Sequence, residues 1–195
     1  MALFFIHYLK IWSTLKESKG QVRVPVPIII DIEASGFGSS SYPIEVGVIN
    51  QAGERFCSLI KPQSDWIHWD VKAEMLHGIS RGLLAKKGLP AQQVCQQLNQ
   101  FLMGQIVYSD GWVVDDTWLI KLFYAAKVSM QFHVSSLEMI LNESQMSLWH
   151  STKDRLFKKT GEPRHRASSD AALIQNTFVT TQRISVKSAK QPHSF

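Results

Sequence analysis

A continuous apolar run at residues 24–33 constrains the fold of this chain more than any other feature. The run is rich in isoleucine and valine and carries only two charged residues, Asp31 and Glu33, near its end. β-Branched residues favour strands, and strands that are apolar on both faces occupy the centre of a sheet covered by helices. Glycines and serines follow at residues 34–41. The run therefore predicts a buried central strand that ends in a loop.

The rest of the chain predicts an α/β fold with a central mixed sheet flanked by helices in three layers. Apolar segments at residues 43–50 and 55–60, separated by a turn, predict an antiparallel hairpin, and residues 105–109 predict a further short strand. Helical spacing of apolar residues predicts helices after Pro90 and at residues 115–127, 148–159 and 167–178. Residues 70–88 are expected to be helical or irregular, and residues 136–141 helical. Strands first, then helices alternating with a strand, favour this layered class.

The length of 195 residues fits one ordinary domain with short tails. We expect an N-terminal extension or linker at residues 1–23, the domain at 24–180 and a basic, flexible tail at 181–195. Residues 1–12 are apolar, but His7 and Lys10 interrupt them, and the segment is too short to span a bilayer. A peripheral helix or an extension of the domain is favoured there over a membrane anchor, and no membrane span is expected elsewhere.

Net charge and cysteine content indicate which partners and which cellular compartment to expect. The net charge of +5 favours a polyanionic partner, either nucleic acid or an acidic membrane surface. Cys57 and Cys95 stand in no metal-ligand spacing and are expected to be buried, reduced thiols, which fits a cytoplasmic protein.

Asp31 and Glu33 are two residues apart on the predicted central strand, so both side chains point to the same face. Two carboxylates on one face suit a hard divalent ion such as Mg²⁺ or Mn²⁺. The alternative is that the strand emerges into solvent here and both carboxylates are simply hydrated. The pair therefore needs partners from elsewhere in the chain.

Two further aspartates each begin the apolar face of a predicted helix. Asp115 is followed at offsets of three, four, seven, eight and eleven by apolar residues, and Asp170 at three, four, seven and eight by a similar set. Both side chains are therefore expected to point toward the core. Asp115 has an alternative role as a charge that favours the helix N-terminus, but Asp116, off the stripe, fits that role better.

His165 precedes Asp170 by five residues and lies in a predicted loop. A histidine there either titrates near neutral pH over a catalytic site or is an ordinary surface residue. Four core-facing acids and one loop histidine can converge on a pair of metal ions.

The spacing of these residues resembles the DEDDh, or DnaQ-like, family of 3′–5′ exonucleases with the ribonuclease H-like fold. The family's DxE motif corresponds to Asp31 and Glu33, followed by Ala34, Ser35 and Gly36. Its second motif corresponds to Asp115 with Trp118 and Leu119, and its HxAxxD motif to the segment from His165 to Asp170. A His-Gly-Ile turn is present at residues 77–79. The resemblance covers about residues 27–180.

The chain departs from the family pattern at two places. Members often carry threonine where this chain has Ala34 and Ser35, and many carry His-Asn where it has Asp110 and Gly111. The second departure leaves Asp110 as a less favoured alternative to Asp115 for the aspartate of the second motif. Neither departure removes a family metal ligand or the base.

The resemblance implies hydrolysis of terminal phosphodiesters of single-stranded nucleic acid, with release of nucleoside 5′-monophosphates. Two divalent ions, Mg²⁺ or Mn²⁺, would be held by Asp31, Glu33, Asp115 and Asp170, and His165 would take the proton from the attacking water. Substrate contacts are expected at Ala34, Ser35, Gly36, Phe37 and His77. Phe37 either stacks on a base or packs in its loop, whereas core packing is favoured for Trp66, Trp69 and Trp112.

Several alternatives remain open at the level of sequence. RNA or short oligonucleotides are slightly favoured as substrate, and a DNA proofreading or repair exonuclease is the main alternative. A catalytically inactive nucleic-acid-binding module would usually have lost one of the four acids, and all four are present. A membrane-associated form anchored by residues 1–12 is a weaker alternative. The oligomeric state stays open, and a homodimer is one possibility.

Overall fold

The computed structural model describes residues 26–161 and 165–189. The predicted extension at residues 1–23 and the end of the predicted tail, from residue 190 onward, lie outside these residues. Within them, no helix has the length and apolar character needed to cross a membrane. Cys57 and Cys95 are free thiols. Cys95 is buried as predicted, whereas Cys57 is exposed on β3, so the prediction of burial was wrong for Cys57.

A mixed five-stranded sheet forms the centre of the described residues. Its strands are β1 (Ile28–Ala34), β2 (Pro43–Ile49), β3 (Arg55–Leu59), β4 (Ile106–Ser109) and β5 (His133–Ser136), in the order β3-β2-β1-β4-β5. The first three strands pair antiparallel, whereas β4 and β5 continue the sheet in parallel. The predicted central strand is thus confirmed: β1 has a partner on each side, and its isoleucines are buried.

Helices cover both faces of this sheet. They are α1 (Val71–His77), α2 (Arg81–Lys87), α3 (Ala91–Leu102), α4 (Trp112–Ala126), α5 (Glu143–Thr160) and α6 (Ala167–Ala189), with a 3-10 turn at Leu137–Ile140. Even-numbered residues of β1 pack with residues of α3 and α4 in the larger core. Ile29, on the other face, packs with Trp149 of α5 and with α6. The three-layer α/β prediction is confirmed.

Several details differ from the sequence prediction. Helix α4 begins at Trp112 rather than at Asp115, and Trp112, for which core packing was favoured, is 39% exposed at the start of this helix. Strand β5 was not predicted, because it is a short, largely polar edge strand without an apolar pattern. Helix α5 begins five residues before the predicted Leu148, because Asn142 and Gln145 form a capping box at its start. Helix α6 runs to Ala189 rather than ending near Phe178, so residues 181–189 are helical despite their polar, basic composition.

Candidate active site

Strand β1 presents Asp31 and Glu33 at its C-terminal end, on the face covered by α6. In the register with β2, Ile29 lies opposite Ile49, Asp31 opposite Gly47, and Glu33 opposite Glu45. Ile29 and Ile49 belong to the apolar core beneath α6, and alternate residues of a strand share a face. The two carboxylates therefore share that face, and both are half-buried.

Asp115 lies in the first turn of α4 and is 5% exposed. Its Oδ2 accepts a hydrogen bond of 2.5 Å from Ser109 Oγ, at the end of β4. The predicted helical stripe is confirmed, because the apolar residues that follow Asp115 are all buried: Trp118, Leu119, Leu122, Phe123 and Ala126. The neighbouring Asp116 is half-buried and off this stripe, as expected.

Asp170 lies in the first turn of α6, and its predicted stripe is likewise buried. His165, just before this helix, has a φ of 60°, which is rare for a residue other than glycine. Its backbone N–H donates to Asp170 Oδ2 at 2.8 Å. This bond holds the histidine against the helix that carries the fourth acid.

The acids repel one another in a poorly hydrated site. Burial, and then the charges of Asp115 and Glu33, raise the pKa of Asp31 well above its ordinary value. Burial and the charge of Asp170 raise the pKa of Glu33 to about 7. Burial raises the pKa of Asp115 to about 7 against the opposing hydrogen bond from Ser109. Clustered carboxylates with raised pKa values are a frequent signature of a functional site.

The donor set fits a divalent metal ion. Glu33, His165 and Asp170 each offer a ligand atom, and these atoms lie within 4.8 Å of one another. Asp31 interacts electrostatically with Glu33, Asp115 and Asp170, so all four predicted acids belong to one group. Carboxylate oxygens are the preferred ligands of Mg²⁺ and Mn²⁺, and a cation would relieve the mutual repulsion.

Asp110, which the sequence left as an alternative to Asp115, occupies a different position. Its Oδ2 lies 2.5 Å from Lys153 Nζ of α5. Its charge nevertheless raises the pKa values of both Asp31 and Asp115. Asp110 therefore lies beside the site with its own cationic partner, whereas Asp115 is the buried acid of the cluster.

The last residue of β1 and the residues after it form a tight turn beside the site. Ala34 and Ser35 are buried, and Ser35 Oγ lies 3.1 Å from His68 Nδ1 and also accepts from Tyr42 N–H. Gly36 has a φ of 143°, and a Cβ there would lie 2.7 Å from the His68 ring. The backbone conformation and the close packing therefore both favour glycine at this position.

Phe37 and His77 differ sharply in their surroundings. Phe37 is 76% exposed, and its ring centroid lies 6.2 Å from that of Trp118. His77 is 5% exposed, and its Nδ1 accepts from Ile79 N–H at 3.0 Å. Among the described residues, its Nε2 has no hydrogen-bond partner. Burial lowers the pKa of His77. Because Nδ1 accepts a hydrogen bond, a neutral ring carries its hydrogen on Nε2.

Sequence reasoning missed Ser109, Glu45 and Lys153. Glu45 offered the clearest signal, because it is the only charged residue in the apolar segment of β2, and a charge inside such a segment needs a partner. Ser109 and Lys153 gave no signal, because their roles depend on which helix and strand ends meet in the fold.

Comparison with solved structures shows that the fold is similar to that of exonuclease I. The Escherichia coli enzyme in complex with a dA16 oligonucleotide superposes with a TM-score of 0.62 at 14% identity, over 83% of this chain and 42% of that chain. Exonuclease I from Methylocaldum szegediense gives a TM-score of 0.61 at 15% identity, over 83% and 41%. A zinc-bound form of the E. coli enzyme with single-stranded DNA gives 0.61 at 15%, over 86% and 42%.

This chain thus spans about two fifths of the length of these neighbours. Identities of this size establish a shared fold. No protein-family model and no curated protein sequence matches the chain. The chemistry therefore has to be argued from the site itself.

Proposed function

We propose that this chain is a metal-dependent 3′–5′ exonuclease that hydrolyses terminal phosphodiesters of single-stranded nucleic acid and releases nucleoside 5′-monophosphates. The observation that carries the proposal is the convergence of four acids and one histidine at the end of β1, in a fold similar to that of exonuclease I. These residues are Asp31, Glu33, Asp115, Asp170 and His165.

The four acids are proposed to hold two divalent ions, Mg²⁺ or Mn²⁺. Such ions supply Lewis-acid activation of the attacking water and charge compensation at the scissile phosphate. Asp31 is the proposed shared ligand, because its charge interacts with those of the other three acids. Ser109 fixes Asp115 by its 2.5 Å hydrogen bond and so orients that ligand.

His165 is proposed to take the proton from the attacking water. Its ring lies in the same group as Glu33 and Asp170, and its backbone is held by Asp170. Only a neutral imidazole can accept a proton, so activity is expected to fall at acid pH. A pH profile that stays flat into the acid range would count against the role.

Substrate contacts are proposed at the turn after β1 and at His77. The exposed ring of Phe37 suits stacking on a base, and stacking of this kind accepts any base. The Nε2–H of His77 is a buried donor that lacks a partner among the described residues, so a substrate oxygen is its proposed acceptor. Ala34, Ser35 and Gly36 would shape the turn that carries Phe37.

The nature of the nucleic acid separates two versions of the proposal. Trimming of RNA or short oligonucleotides is one, and a DNA exonuclease is the other. Some of the similar solved structures are complexes of exonuclease I with DNA oligonucleotides, which favours DNA as the first substrate to test. An inactive binding module is disfavoured, because all four acids and the histidine are retained. A cytoplasmic location stays part of the proposal.

The decisive experiment uses 5′-labelled single-stranded RNA and DNA with Mg²⁺ or Mn²⁺. A ladder shortened from the 3′ end is expected, dependent on metal and absent from Asp31→Ala. Asp154→Asn is the matched control, because Asp154 is an exposed acid on α5 outside the cluster. Metal-dependent shortening of only one polymer identifies the substrate. Intact RNA and intact DNA under both metals would refute the enzyme proposal.

A further inference from the structure

Glu45 on β2 is a buried carboxylate that lies outside the proposed ligand set. Its side chain is 1% exposed, and it lies directly opposite Glu33 in the β1–β2 register. Opposed residues of an antiparallel pair project from the same face, and like charges there are destabilising. A buried acid at this place therefore needs a specific partner.

That partner is the segment just after His165. Arg166 donates from Nε to both oxygens of Glu45, at 3.2 and 3.1 Å, and from Nη2 to Oε1 at 2.6 Å. The backbone N–H of Ala167 donates to Oε2 at 2.9 Å. Both carboxylate oxygens are thus engaged by two consecutive residues. Charge-assisted bonds with this forked geometry fix orientation as well as adding energy.

These bonds determine where His165 sits. His165 immediately precedes Arg166 and adopts a φ of 60°. Its own N–H is bonded to Asp170 on one side, while Arg166 is bonded to β2 on the other. Gly47 allows this close approach, because a Cβ there would lie 2.2 Å from the backbone of Ala167 and Ser168. The start of α6 is thus in direct contact with β2.

We propose that Glu45, through Arg166, is a positioning residue that holds the His165 ring beside Glu33. The inference rests on the proposed function, since His165 is the proposed base. Glu45 makes no contact with substrate in this proposal. Loss of the forked bonds lets the histidine depart from its working position, whereas Asp31, Glu33 and Asp115 lie on other elements, β1 and α4.

The test is a double-mutant cycle on kcat with Glu45→Gln, His165→Ala and the double variant. A misplacement of about 1 Å can cost roughly a hundredfold in rate, so Glu45→Gln is expected to lower kcat by up to about that factor with KM unchanged. In the His165→Ala background the same change is expected to cost nothing further, because the base it positions is gone. Equal losses in both backgrounds would overturn the proposal and indicate a purely structural role.

Arg166→Lys provides a second variant if Glu45→Gln folds poorly. Arg166 keeps 40% of its side chain exposed, and lysine retains the charge but loses the fork. Arg166→Lys is expected to lower kcat in the wild-type background. It is expected to leave kcat unchanged in the His165→Ala background. Arg183→Lys, at an exposed position near the other end of α6, is the matched control and should leave kcat unchanged.

A structural readout separates this inference from the proposed function. In NMR spectra of the metal-free protein, the His165 ring resonance, assigned with His165→Ala, should shift or broaden in Glu45→Gln and Arg166→Lys. The resonances of the exposed His133 and His150 should not change. If the wild type cuts neither RNA nor DNA, the function fails and this readout alone decides whether Glu45 positions the ring. An unchanged His165 resonance in both variants would overturn the positioning.

Discussion

At the scale of single residues, the site combines carboxylates whose charges destabilise the metal-free fold. Glu33 and Asp115 have pKa values of about 7, against ordinary values of 4.5 and 3.8. At pH values between the ordinary and the raised pKa of these groups, the folded protein binds more protons than the unfolded protein. The free energy of unfolding of the metal-free protein therefore falls as the pH rises from about 4 to about 7 through these groups.

Neutral replacements at these positions are therefore expected to stabilise the metal-free protein. At pH 8, Glu33→Gln and Asp115→Asn should each raise Tm, by roughly 2–4 °C for each kcal/mol recovered, and the gain should shrink at pH 5. Thermal unfolding in the presence of a metal chelator measures these changes in Tm. Asp154→Asn, at an exposed acid, should show no such gain. A lower Tm for both site variants at pH 8 would contradict the electrostatic account.

Phe37 tests the proposed stacking role without disturbing the core. Because the ring is 76% exposed, Phe37→Ala should leave Tm unchanged. It should weaken binding of single-stranded ends by about 1–3 kcal/mol, the usual contribution of one stacked base. Binding can be followed by fluorescence anisotropy with the inactive Asp31→Ala protein as background. Tyr124→Ala is the control, because Tyr124 is 85% exposed at the far end of α4. Equal losses in both variants would argue against a specific stack.

The sequence predicted the directions in which the acids point, but not the groups that hydrogen-bond to them. Period-two and helical spacing are local, so the shared face of Asp31 and Glu33 and the inward direction of Asp115 followed directly from them. The bond from Ser109 to Asp115 and the fork between Arg166 and Glu45 join residues from different elements. The second pair is separated by 121 positions, and no local pattern reports such a contact.

At the scale of elements, the start of α6 is placed by its contact with β2. A methyl group at Gly47 would lie 2.2 Å from the backbone of Ala167 and Ser168, and backbone cannot move aside as a flexible side chain can. Gly47→Ala should therefore displace the helix start that carries Asp170 and follows His165. We expect a destabilisation of about 1–3 kcal/mol, as for overpacked cores, and a loss of kcat beyond that of the folded fraction.

Gly82→Ala is the matched control for that prediction. Gly82 lies within α2, and the nearest atom to an added Cβ is Ser80 Oγ at 3.9 Å. Alanine is the better helix former, so this variant should be neutral or slightly more stable. Urea unfolding and single-turnover kinetics of both variants provide the comparison. Full activity of Gly47→Ala would show that the helix start is less constrained than its packing indicates.

Element-level prediction from sequence succeeded where periodicity was strong and failed at edges and ends. The hairpin β2–β3 and helices α3, α4 and α6 follow from apolar spacing, whereas β5 is a polar edge strand of four residues. Its pairing depends on a parallel neighbour, β4, that lies more than twenty positions earlier in the chain. The start of α5 could have been read from its capping box, which is a local signal.

At the scale of the whole molecule, metal binding at the proposed site should be coupled to stability and to protonation. Ligand carboxylates must be deprotonated to bind a cation, and the pKa values of Glu33 and Asp115 are about 7 in the metal-free fold. Metal affinity should therefore rise from pH 6 to pH 8. Because a cation that binds only the folded protein stabilises it by mass action, Mn²⁺ should raise Tm more at pH 8 than at pH 6.

Calorimetric titration with Mn²⁺ in buffers of different ionisation enthalpy measures this linkage directly. Proton release on binding is expected near pH 6.5 and should nearly disappear at pH 8.5, where the carboxylates are already ionised. Asp31→Ala should abolish most of the stabilisation, since its charge interacts with the other three acids. Asp154→Asn should retain it in full. Metal binding that is independent of pH across this range would place the cation elsewhere and remove the electrostatic basis for the proposed active site.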